Sequence, residues 1–101
     1  MTRIIVSGRI KIAESSREKA LALIEPLVTA TREEPGNIEY GFYEDLVTPG
    51  SFKLYEEWES DEALDAHGQT AHMAAFNDAV GTIEVLDLAI DFYKGEPHTR
   101  G

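Results

Sequence analysis

The chain has 101 residues, 43% of them hydrophobic, which suits one globular domain with a real core and excludes disorder as its ground state. Nineteen acids against nine bases give a formal charge of −10, which argues against nucleic acid and against anionic membrane surfaces as partners. The absence of Cys removes disulfides, zinc–thiolate sites and thiol nucleophiles together.

Arg3–Ile12 alternates Ile4, Val6, Ile10 and Ile12 against Arg3, Arg9 and Lys11, the pattern of a strand with one buried face. Its apolar run is too short and interrupted for a signal peptide or a membrane span, so a cytoplasmic protein is expected. Ser15 or Ser16 is placed to cap a helix. Ala20, Leu23, Leu27 and Ala30 follow at helical spacing, with Leu21, Ile24 and Val28 beside them. Pro26 removes one backbone donor inside this stripe. The stripe continues in phase past it, so the spacing predicts one kinked helix rather than two, stopped by Glu34-Pro35-Gly36.

Asn37–Tyr43 sets Ile38, Tyr40 and Phe42 on one face of a second strand. Phe52–Glu59 sets Phe52, Leu54, Glu56 and Trp58 on one face of a third. Thr48-Pro49-Gly50 marks a hairpin connection between them. Ser60-Asp61-Glu62 carries a cap and first-turn acids for a short helix that Gly68 ends. Thr70 is placed to cap a further helix running to Val80, stopped by Gly81. Ile83–Tyr93 alternates Leu86, Leu88, Ile90 and Phe92 against Val85, Asp87, Ala89 and Asp91, a last strand. Gly95–Gly101 is a polar tail.

The order is β-α-β-β-α-α-β within a single domain. That predicts an α+β, ferredoxin-like fold: a four-stranded antiparallel sheet with helices on one face. The other face carries Ile5, Tyr55 and one set from the last strand, and a half-apolar open face on a small domain invites a partner. A two-fold homodimer with sheets packed face to face is expected.

TREEPGNIEYGFYED and LYEEWESDEALDAHGQTAHMAAF together resemble the antibiotic biosynthesis monooxygenase (ABM) domain family. The shared pattern is a Glu-Pro-Gly turn, a strand carrying Tyr, a strand ending Tyr-Glu-x-Trp, then Leu-x-x-His and a second His five residues on. The resemblance runs from Ile4 to about Phe92 and implies a dimeric α+β barrel. Members of the family include cofactor-free monooxygenases of quinols and polyketide phenols, haem-degrading enzymes, and an isomerase of a phosphorylated sugar. The polyketide oxygenases place Asn four residues before the Trp, where this chain has Leu54. The haem degraders use an Asn on the first strand, then a Trp and a His in the helix region; Ser7 or Gly8, His67 and Phe76 stand at those places here, so that triad is absent. The segment is most similar to the small bacterial quinol monooxygenases.

The resemblance implies a small aromatic substrate, O2 and no cofactor. On that reading His67, His72 and Glu56 are the catalytic candidates, because His titrates nearest neutrality and a carboxyl among apolar neighbours has a raised pKa. Glu56 is equally placed to pair with Arg9 or Lys11. Trp58, Tyr40, Met73 and Phe76 are candidates to hold a flat ring, and each is also an ordinary core residue. No metal is expected. The i, i+5 spacing of His67 and His72 across Gly68 is not the i, i+4 pair of a helical zinc site, and neither Glu56 nor Asp65 is fixed as a third ligand. An isomerase of a small carbonyl sugar and a non-catalytic ligand-binding barrel are the alternatives.

Overall fold

The computed structural model describes residues 1–101. Its elements are β1 (Arg3–Ile12), a 3-10 turn (Glu14–Ser16), α1 (Arg17–Thr31), β2 (Asn37–Glu44), β3 (Ser51–Trp58), α2 (Asp61–Gly68), α3 (Ala71–Val80) and β4 (Val85–Gly95). This is the ferredoxin-like order. The sheet runs β2-β3-β1-β4, and every neighbouring pair is antiparallel.

The alternation of β1 is kept. Ile4, Val6, Ile10 and Ile12 are buried, and they join Ala20, Ile24 and Leu27 of α1 with Phe52, Tyr40 and Trp58 in two adjoining apolar clusters. The core therefore lies between the sheet and its helices. Pro26 sits within one continuous α1, on its exposed side. No helix is long and apolar enough to cross a membrane.

Two caps act as their sequence positions predict. The Ser60 hydroxyl accepts from Ala63 N at the start of α2, and the Thr70 hydroxyl accepts from Met73 N at the start of α3. The first helix differs. Ser16 makes no side-chain cap, because its Oγ instead accepts from Glu84 N at 2.9 Å, tying the start of α1 to the connection before β4.

Three strand assignments are corrected, two of them by irregular pairing. Asn37 faces Trp58 while Glu39 faces Glu57, so Ile38 is an extra residue bulged out of the ladder and is 39% exposed rather than sharing the face of Tyr40. β4 begins at Val85, two residues later than predicted, because Ile83 turns into the core against the cluster of Ile10, Phe52 and Ile24. A second irregularity pairs Lys11 with Asp87 but Ile12 with Val85. It exchanges Leu86 for Val85 on the face that Leu88, Ile90 and Phe92 share.

Leu88, Ile90 and Phe92 stand opposite Ile10, Gly8 and Val6, on the helix side of the sheet. β4 is the edge strand, and all three remain more than 40% exposed. The open face of the sheet is more polar than predicted. It carries Ile5, Tyr55 and Tyr93 among the ion pairs Arg3–Glu57 and Arg9–Asp87.

Candidate functional site

Between the sheet and α2–α3 lies a cavity of about 440 Å³. Tyr40 from β2, Glu56 from β3, His67 from α2, and Met73 and Phe76 from α3 all line it, and Leu88, Ile90 and Phe92 line its β4 side, which is open to solvent. Its walls are mostly apolar, with few polar groups, the usual character of a small-molecule site.

Glu56 faces the helices because it lies two residues from Trp58 on an alternating strand. It is 5% exposed, and its Oε1 accepts a hydrogen bond from Trp58 Nε1 at 2.8 Å. It pairs with neither Arg9 nor Lys11: Arg9 points to the opposite face and meets Asp87 at 2.9 Å. Burial pushes the Glu56 carboxyl above its ordinary value, against the pull of the indole N–H and of His67. Tyr40 is also buried. Its hydroxyl is held well above the usual range by desolvation first, then by the carboxylates of Glu56 and Glu34.

Trp58 and His72 stand elsewhere than on the cavity wall. Trp58 has no exposed surface and lies behind Glu56 and His67, with its ring 4.8 Å from the imidazole. It backs the residues that line the cavity and is not itself among them. His72 lines a separate groove with Ala22, Leu23, Pro26, Phe76 and Ala79.

The residue that joins the two His is Glu34, which the sequence marked only as a helix stop. Its Oε2 lies 2.7 Å from His67 Nδ1 and 2.6 Å from His72 Nε2. Its side chain is 9% exposed, and its ion-pair partners are these two imidazoles alone. The local fold explains the placement. Gly36, at φ 83°, turns the chain into β2, and its carbonyl accepts from Glu59 N at 2.9 Å. The Glu-Pro-Gly turn is thereby fastened beside the start of α2. The signal for Glu34 was the turn itself, read together with the antiparallel register that brings Asn37 to Trp58.

With Glu34 as a carboxylate, which only accepts, His67 carries its proton on Nδ1 and leaves Nε2 as a proton acceptor. The site thus combines an oriented imidazole, a carboxyl destabilised as an anion, and an apolar cavity between sheet and helices.

Residues 3–79 match the family model described as antibiotic biosynthesis monooxygenase. The chain belongs to this family. Among its relatives is the Bacillus subtilis protein named "Putative monooxygenase YcnE", 32% identical over 93 residues that cover 92% of this chain and 96% of that one. The Escherichia coli protein named "Probable quinol monooxygenase YgiN" is 30% identical, with 89% of this chain and 93% of that one covered. An uncharacterized protein of Synechocystis is 35% identical over 90% of this chain, which spans 62% of that protein's length. Of solved structures, an antibiotic biosynthesis monooxygenase from Deinococcus radiodurans, itself described as putative, superposes with a TM-score of 0.87 at 27% identity, covering 96% of both chains.

Proposed function

We propose that this ABM-family chain is a monooxygenase that oxidises a small quinol or polyphenol with O2 and without an organic cofactor. The observation that carries the reading is the single cavity in which an oriented His67 and a proton-favouring Glu56 share mostly apolar walls. The family membership and the names of the relatives support the reaction class.

The substrate supplies the electrons. A quinol gives up four, O2 takes four, one oxygen atom enters the ring and the other leaves as water. The products are a hydroxyquinone and water, with no external reductant. The protein's part is to hold the ring flat against Met73, Phe76 and Tyr40, to exclude water, and to take the hydroxyl proton. His67 Nε2 is the acceptor, with Glu56 beside it as a second carrier of the proton. An electron-rich quinolate results, which is the form that reduces O2. His72 acts through Glu34 rather than on the substrate.

A mostly apolar cavity whose one Lys or Arg neighbour, Arg9, turns its guanidinium to Asp87 on the other face suits an uncharged ring better than a phosphorylated sugar. A homodimer goes with this reading: the exposed Leu88, Ile90 and Phe92 extend past the helices, and a second copy covering them would close the cavity from water. Light scattering should give twice the chain mass of 11.2 kDa.

Oxygen consumption over a panel of hydroquinones and naphthohydroquinones tests the function. Stoichiometric O2 uptake with a hydroxyquinone product is the expected result. Tight binding of these rings with no uptake would leave a ligand-binding barrel and defeat the oxidation.

A further inference from the structure

We propose that Glu34, His67 and His72 form a binding site for one divalent transition-metal ion of the zinc, cobalt or nickel kind. The inference stands on these three side chains and not on the oxidation described above.

Three donor atoms, Glu34 Oε2, His67 Nδ1 and His72 Nε2, lie within 4.8 Å of one another. They come from three separate segments: the turn after α1, the last turn of α2 and the first turn of α3. The sequence spacing spoke against a metal because two His at i, i+5 across Gly68 do not form a helical pair and no third ligand was fixed. Gly68-Gln69-Thr70 breaks the helix, so the two imidazoles approach from different axes and the i, i+4 requirement lapses. The third ligand is neither Glu56 nor Asp65 but Glu34, from 33 residues earlier in the chain.

The donor set is chemically suited to the ion. Two imidazole nitrogens and one carboxylate oxygen match the borderline preference of zinc, cobalt and nickel, and are too nitrogen-rich for magnesium or calcium. The charge balance points the same way. Glu34 is nearly buried, and no Lys or Arg pairs with it. A buried carboxylate calls for a compensating cation, which here is either a proton on an imidazole or a metal.

The three donor atoms, within 4.8 Å of one another, must adjust to a common spacing. Tetrahedral bonds of about 2.1 Å set ligand atoms about 3.4 Å apart. The two contacts of 2.6 and 2.7 Å to Glu34 would widen by roughly 0.7 Å, within reach of small side-chain rotations. The groove that His72 lines leaves room for water on that side, so the remaining positions have an entry path. Metal on Nδ1 also reverses the His67 ring: Nε2 then carries the proton and donates, where the metal-free ring accepts. The ion would therefore silence the ring as a proton acceptor.

The test uses the full chain after treatment with a chelator. Zn2+ binding is measured by calorimetry and by the shift in melting temperature, and Co2+ binding by visible absorption. One equivalent per chain is expected, with the Co2+ bands of a four- or five-coordinate ion. Glu34→Gln and His72→Ala should each weaken binding more than tenfold, while His98→Ala, in the tail, should leave it unchanged. Far-UV circular dichroism shows whether each variant is folded; His72→Gln replaces His72→Ala if the latter is not. Failure of the wild-type chain to take up an equivalent would overturn the proposal. So would equal affinity in wild type and a folded Glu34→Gln, or loss of binding in His98→Ala.

Discussion

Glu34 Oε2 stands 2.7 Å from His67 Nδ1, joining the turn before β2 to the last turn of α2. This one contact decides which nitrogen of His67 can take a proton. Replacing the carboxylate by a carboxamide removes that preference, because an amide can present a donor or an acceptor. In metal-free protein, Glu34→Gln should lower kcat for quinol oxidation by roughly tenfold or more with little change in KM. His67→Gln, which removes the acceptor itself, should cost about 100-fold or more. Steady-state O2 uptake on both variants gives the comparison.

Glu56 should reveal itself as a cost to stability at neutral pH. Its folded-state pKa is raised above the ordinary 4.5, chiefly by burial. Below 4.5 the group is protonated in both the folded and unfolded chain and contributes no difference. As pH rises through 4.5 the unfolded chain ionises first, so stability falls until the folded pKa is also passed. Glu56→Gln keeps an acceptor for Trp58 Nε1 and cannot ionise. It should melt at a higher temperature than wild type at pH 7 and at nearly the same temperature at pH 4, while losing activity. Paired thermal scans at the two pH values check it.

The opposite sign is expected at Glu44. Arg17 donates two hydrogen bonds to its carboxylate, Gly50 N adds a third, and its pKa is lowered to about 2. The stabilisation is present above 4.5 and fades as pH falls towards 2. Arg17→Met should flatten that part of the acid-denaturation curve without moving the quinol kinetics. The pair is partly exposed, so added salt should shrink the difference.

Gly36→Ala should be damaging out of proportion to one methyl group. The residue sits at φ 83°, and a Cβ there would lie 2.6 Å from Ala63 Cβ in α2. A loss on the order of 2 kcal/mol or more in chemical denaturation is expected. The displaced turn carries Glu34, so the variant should lose activity even under conditions where it remains folded.

The fold was legible in the chain because its signals are local and repeated. The alternation in β1, the hydroxyl caps at Ser60 and Thr70, and the breaks at Gly36, Gly68 and Gly81 each name an element boundary. The bulges at Ile38 and Leu86 were not legible, since a period of two carries no mark where one residue is skipped. The cavity lining was partly readable: Glu56 follows from strand parity, and His67 from its place on α2. Glu34 was hidden by its neighbours. Beside Pro35-Gly36 it reads as turn chemistry, and only the pairing of distant strands brings it to the two His. The tilt of Trp58 behind the wall, rather than on it, depends on packing depth, which periodicity does not encode.

Trp58 is the one tryptophan in the chain, wholly enclosed, with its indole 4.8 Å from the His67 ring. Indole emission responds to charge and polarity beside the ring. The molecule therefore carries its own optical gauge of the Glu34–His67–His72 cluster. Emission of the unlabelled protein should change when Zn2+ is added, and should not change in a folded Glu34→Gln.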